Sequence, residues 1–202
     1  MDAIDLFKTD FLPKKEVLES HYSTLSSDWF EQSINPPVQF LFVLDRDHFH
    51  FFASRNSPAL IHPESEVGKF QAELWKYDVA EFFLRSPNSN HYLEFNLAPN
   101  GGWWSCLFKE ALVPQEETNT PLPGVIATGQ SSSAGWKAHA RIPLSFLIDH
   151  LDFSPESKLN ATFILNSPEQ IFLTAGAPAP GKPNFHRPTD FPGLRIRSDV
   201  TL

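Results

Sequence analysis

Apolar and polar residues alternate along much of this chain in short runs bounded by proline, glycine, asparagine and serine, the pattern that half-buried strands produce. The runs are "VQFLFVL" (38–44), "HFHFFAS" (48–54), "VAEFFLR" (79–85), "HYLEFNL" (91–97), "WWSCLF" (103–108), "GWKAHARI" (135–142), "NATFIL" (160–165) and "GLRIR" (193–197). Two stretches read as helical instead: "KKEVLESHYSTL" (14–25) and "PLSFLIDHL" (143–151). The second places Pro143 at a first helical position and Leu144, Leu147, Ile148 and Leu151 on one apolar face. The prediction is an all-β chain, an antiparallel β-sandwich with one or two short helices. It forms one domain, with residues 1–37 as an N-terminal segment packed on a sandwich of residues 38–202. The stretch "GQSSSAG" (129–135) reads as a mobile loop tip.

Strand parity then sorts the side chains. In "HYLEFNL" Leu93, Phe95 and Leu97 face one way, and Tyr92, Glu94 and Asn96 the other. In "GWKAHARI" Trp136, Ala138, Ala140 and Ile142 oppose Lys137, His139 and Arg141. The two polar rows are either solvated outer faces or, if adjacent, one concave polar surface. Glu81 shares its face with Val79 and Phe83, where a carboxylate is costly unless it is paired or binds something. Trp103 and Trp104 must point to opposite faces, one into the core and one outward.

Composition narrows the function classes. The net charge of −8 and the lack of any Lys/Arg run argue against nucleic acid or an anionic membrane as partner. A lone cysteine, Cys106, excludes an intrachain disulfide and reads as buried and inert. The N-terminus "MDAIDLFKTD" is acidic where a signal peptide is basic, and no apolar run of membrane-span length follows, so a cytoplasmic location is expected. His48 and His50 share a strand face at a spacing that suits a metal pair. No third ligand is in obvious register, and Asp45 and Asp47 in "LDRDHF" read as a hairpin turn, so no metal site is expected. A structural calcium in the loops is compatible with such a sandwich, although no EF-hand loop is present.

Four blocks in order, "LWKYDVAEFFL", "YLEFNLAPNGGWW", "GWKAHARIPLSFL" and "FHRPTDFPGLRI", resemble the family 9 carbohydrate-binding modules and the related DOMON-like domains over residues 38–197. The resemblance implies an antiparallel β-sandwich that holds a terminal sugar in an aromatic clamp. It places Trp75 at one blade and Phe185, a phenylalanine for a tryptophan, at the other. It assigns a polar contact to Glu81, and it aligns Asn96 with an arginine of the sugar binders, Glu94 lying on the same face. Tyr92, Trp104, Arg141, His186 and Arg187 are further candidates, the last three as replacements for that arginine. Haem-binding relatives use a Met–His pair, and the sole methionine is Met1, so haem is not expected. The expected function is non-catalytic binding of a saccharide or similar small polar ligand. Two rivals are a sandwich kept as a scaffold for protein partners and a hydrolase acting through Glu81 and Glu94.

Overall fold

The computed structural model describes residues 1–115 and 120–198. Its strands are β1 (Ala3–Lys8), β2 (Ser23–Ser27), β3 (Ser33–Leu44), β4 (His48–Arg55), β5 (Val79–Arg85), β6 (Tyr92–Leu97), β7 (Trp103–Glu110), β8 (Val113–Pro114), β9 (Ile126–Ser132), β10 (Gly135–Pro143), β11 (Lys158–Leu165), β12 (Ile171–Thr174) and β13 (Gly193–Arg197). They join in the order β8-β7-β6-β5-β11-β13-β1-β3-β4-β10-β9, with β12 added to β11 and β2 to β3.

The sheet curls so that its two arms face each other across one core. Phe82, Leu84 and Phe95 come from one arm, and Phe42, Phe49, Phe51, Ala138 and Ala140 from the other. Phe82 is the meeting point, edge-on to Phe42 at 5.9 Å and to Phe51 at 5.3 Å, a geometry that aromatic quadrupoles favour. The eight sequence-predicted strands are all present, and the architecture is a β-sandwich.

One pairing pattern departs from expectation. β1 runs parallel to both of its neighbours, β13 and β3, so the sheet is mixed rather than wholly antiparallel. The segment to residue 37 is therefore woven into the sheet and not merely laid across it. "AIDLFK" sends Ile4 and Leu6 into the core, and Asp5 takes Arg195 and Arg197 as ion partners on the outer side. These links join the first and last strands.

The stretch 14–25 forms only a single α turn, α1 (Lys15–Leu18), and a 3-10 turn (Glu19–His21) before the chain extends into β2. Ladder bonds to β3 and the burial of Leu25 outweigh the helical spacing there. The second helix, α2 (Leu144–Leu151), buries Leu147 and Leu151 but leaves Ile148 exposed, and Pro143 is the extended residue before it rather than its first helical residue. "GQSSSAG" is largely strand: β9 pairs with β10 from Ser132↔Gly135 to Ile126↔Arg141. Gly129 permits this because the turn at 98–102 crosses β9 backbone to backbone, and a Cβ there would lie 2.4 Å from Asn100 C.

Candidate functional site

Glu94 and Asn96 share the outer face of β6, as parity predicted, and Glu81 on β5 lies on the same side opposite Asn96, but that face is not open to solvent. The 3-10 turn Leu74–Lys76 and the loop through 183–186 rise over it, leaving a cleft of about 330 Å3. Its walls include Trp75, Phe83, Trp104, Phe172, Phe185 and His186. Such a cavity, apolar in its walls and polar at a few points of its floor, has the ordinary composition of a small-ligand site.

Trp75 stands at the rim, 47% exposed, while Leu74 beside it is buried and anchors the turn. The turn is held from below: Ser167 Oγ donates to Lys76 O (2.7 Å) and Gln170 Nε2 to Trp75 O (2.8 Å). Asp78, two residues on, accepts the Leu60 N–H and ties in the preceding loop. Trp75 is thus an exposed indole on an ordered support. Trp104 reaches the cleft from β7, while Trp103 turns inward and stacks on Phe95 at 5.7 Å, the division that strand parity required.

Phe185 lines the cleft but is only 9% exposed, packed among Trp29, Phe83 and Phe172 with ring centroids 5.8–6.2 Å apart. It serves as a fixed wall rather than as a free blade matching Trp75. A phenyl ring in this aromatic cluster gains more from burial than from exposure at a rim.

The floor is polar and buried. Thr162 Oγ1 on β11 donates to Glu81 Oε2 at 2.8 Å. Burial raises the Glu81 carboxyl to about 7, and Glu94 lies well above the usual carboxylate range through burial and then through the charge of Glu81. Asn96 is fully buried beside Glu94, whose carboxyl its side chain meets as a hydrogen-bonding neighbour, although neither Oδ1 nor Nδ2 is in a bond of ideal geometry among the described residues.

His186 joins wall to floor. Its Nδ1 lies 2.7 Å from the Tyr92 hydroxyl, which also accepts the Leu112 N–H at 3.2 Å. Burial lowers the imidazole to about 4, so it is uncharged at neutral pH. With the hydroxyl accepting from Leu112 and donating to Nδ1, the ring proton falls on Nε2, which faces Glu94 Oε2 across 3.6 Å. Tyr92 is fully buried and acts through His186. Thr162 was missed by sequence reasoning, though its place opposite Glu81 on a strand of known parity was a signal for it.

Arg141 does not reach the cleft. The apolar rows of β6 and β10 point into the same core, so the rows opposite them, Glu94 on one and Arg141 on the other, face away from each other. Arg187 is engaged by Asp190, and among the described residues no lysine or arginine lines the cleft. Cys106 is buried beneath this region, its thiol pushed up to about 12. A second cavity, of about 690 Å3, lies on the outer face of the other arm beneath α1, with Tyr22, Phe52, Lys137 and His139 among its walls.

No family model matches the sequence. A mouse protein described as the UPF0462 protein C4orf33 homolog is 31% identical over 134 residues, 62% of this chain, and the chain spans 64% of that relative's length. Solved structures agree over nearly the whole chain. A Bacteroides uniformis protein, described only provisionally as carbohydrate-binding, superposes with a TM-score of 0.73 at 15% identity, over 97% of this chain and 99% of its own. A family 9 carbohydrate-binding module from Caldicellulosiruptor kristjanssonii in complex with glucose gives 0.65 at 10% identity, over 96% of each chain. The same kind of module in complex with cellotriose gives 0.64 at 12%, over 98% and 97%. The chain has the fold of the family 9 carbohydrate-binding modules.

Proposed function

We propose that this chain is a non-catalytic binding domain for a saccharide, taken up in the cleft between Trp75 and Trp104 over a floor of Glu81 and Glu94, with Asn96 buried beneath them. The observation that carries the reading is the pairing of an exposed indole on a well-held turn with the buried carboxyls of Glu81 and Glu94, which line the same cleft. The apolar face of a pyranose stacks on the indole, and its hydroxyls meet the carboxyls of Glu81 and Glu94. A carboxyl near its midpoint at neutral pH can donate or accept, which suits a hydroxyl that does both. The glucose and cellotriose bound by structural neighbours support a sugar as the class of ligand.

The hydrolase reading draws on the same raised carboxyls. Glycoside hydrolysis uses one protonated acid and one carboxylate held ionised. Here burial raises both, and they lie side by side in the floor, so binding is the better account. Calorimetric titration with glucose, cellotriose and a wider panel of mono- and oligosaccharides tests it. Binding that weakens at least about tenfold in Trp75→Ala, with an unchanged melting temperature, supports the clamp. If no saccharide binds the unmodified protein, or if one is turned over and Glu81→Gln stops it, the reading is wrong.

A further inference from the structure

On the other arm, the hairpin between β3 and β4 gathers three side chains of a different chemistry. His48 and His50 leave β4 on one face, and Asp45 turns back toward both: Asp45 Oδ2 lies 2.9 Å from His50 Nε2, and Oδ1 lies 3.6 Å from His48 Nδ1. One ligand atom from each of the three falls within 4.8 Å of the others. Ligand atoms held about 2.0–2.2 Å from a tetrahedral zinc ion are separated by roughly 3.3–3.5 Å, so adjustments of an ångström or less would place these three around one ion. We propose that Asp45, His48 and His50 form a binding site for a divalent transition metal of the zinc class, with water as its fourth ligand.

The surroundings favour this over a chance cluster. Asp45 Oδ1 accepts the N–H groups of Asp47 (2.9 Å) and His48 (2.7 Å), which fixes the carboxylate in the turn and leaves Oδ2 aimed at His50. Its role in the turn and its role as a ligand use different oxygens. His50 is 2% exposed, and its other nitrogen, Nδ1, meets His139 Nε2 at 3.0 Å. His139 in turn lies flat on Phe52, ring centroids 4.0 Å apart and planes 1° apart. A ligating imidazole needs this kind of outer support, which fixes ring orientation and tautomer.

The hydrogen-bond chain accommodates the ion without changing its proton count. With Asp45 alone as partner, His50 donates from Nε2 and accepts at Nδ1 from His139. With a metal on Nε2, His50 carries its proton on Nδ1 and donates it to His139 Nε2, and His139 carries its own on Nδ1. Each ring remains singly protonated and the contact between them persists with its direction reversed. Asp45 and His48 are 15% and 29% exposed, enough for an ion and its water to enter. Arg141 faces His50 across the β4–β10 pair, and its positive charge opposes the ion, which lowers the affinity relative to a site without it. Two imidazoles exclude calcium and magnesium as preferred occupants.

The test is titration of the chelator-treated 202-residue protein with Zn2+ by calorimetry and with Co2+ by visible absorption, alongside Asp45→Asn and His48→Ala. Asparagine retains an oxygen for the turn amides while removing the charge, so it separates ligation from folding. The expected result is one ion per chain, Co2+ bands of four-coordinate intensity, and affinity about tenfold or more lower in each variant, with Mg2+ and Ca2+ inactive. Absence of Zn2+ binding, or equal Zn2+ binding in both correctly melting variants, overturns the proposal. Saccharide binding at the opposite cleft is read separately and does not affect the outcome.

Discussion

Glu81 and Glu94 are diagonal neighbours on adjacent antiparallel strands, Glu81 across from Asn96 and Glu94 across from Phe83, both carboxyls buried on one face. Among the described residues the one ionisable base lining the cleft is His186, and burial keeps that ring neutral at ordinary pH. The pair therefore holds protons that exposed glutamates would have lost.

Stability should respond to this with a definite sign. The folded state raises Glu81 from 4.5 to about 7, so between those values it binds more protons than the unfolded chain, and stability falls as pH rises. His139 and His186, lowered to about 3 and about 4, act oppositely and withdraw stability as pH falls below 6.5. Glu81→Gln isolates the carboxyl, since glutamine still accepts from Thr162. The variant should melt with the parent near pH 4.5 and above it at pH 8, by on the order of 3 kcal/mol. Melting curves at the two pH values check this, and a variant less stable than the parent at pH 8 would contradict it.

The two expected clamp residues should separate cleanly. Trp75→Ala removes a half-exposed indole and should shift the melting temperature by less than about 2 °C while weakening saccharide binding. Phe185→Ala opens a void among Trp29, Phe83 and Phe172 and should cost about 3–5 kcal/mol. Chemical denaturation of both variants decides whether Phe185 is wall or blade.

Much of this arrangement was legible in the sequence. Alternation alone put Leu93, Phe95 and Leu97 in the core and Glu94 and Asn96 together on the other face, because a strand's period of two leaves no other choice. What alternation cannot say is which faces meet, and so it brought Arg141 toward a cleft that lies across the core from it. β1 and β9 escaped for related reasons. The place of β1 is set by β13 and β3, far away in sequence, and β9 is a polar strand held by its partner β10 and by a glycine contact. Asp45 was readable as a turn residue, but its second oxygen met His50 only in three dimensions.

The contact at Gly129 offers a check on that edge of the fold. Gly129→Ala would drive a methyl group into the backbone at Asn100 and Gly101, which cannot move aside as a side chain would. A loss of about 1–3 kcal/mol is expected, with exchange of the β9 amides accelerating more than that of the β5–β6 amides. Hydrogen exchange resolved by strand measures both, and uniform acceleration would mean that β9 and the core open together.

Asn96 provides the sharpest separation of stability from function. Asn96→Leu keeps a similar volume and removes two buried polar atoms whose hydrogen-bonding neighbour in the protein is Glu94. If those atoms exist for a ligand, the variant should be as stable as the parent or more stable by about 1 kcal/mol, and should bind saccharide at least about tenfold more weakly. A large loss of stability would instead mean that the amide is satisfied within the protein, through Glu81 or Glu94, and that the floor of the cleft is a closed network rather than a surface awaiting hydroxyls. Denaturation and calorimetry on the one variant distinguish these outcomes, because the first predicts opposite directions for stability and affinity and the second predicts that both fall together.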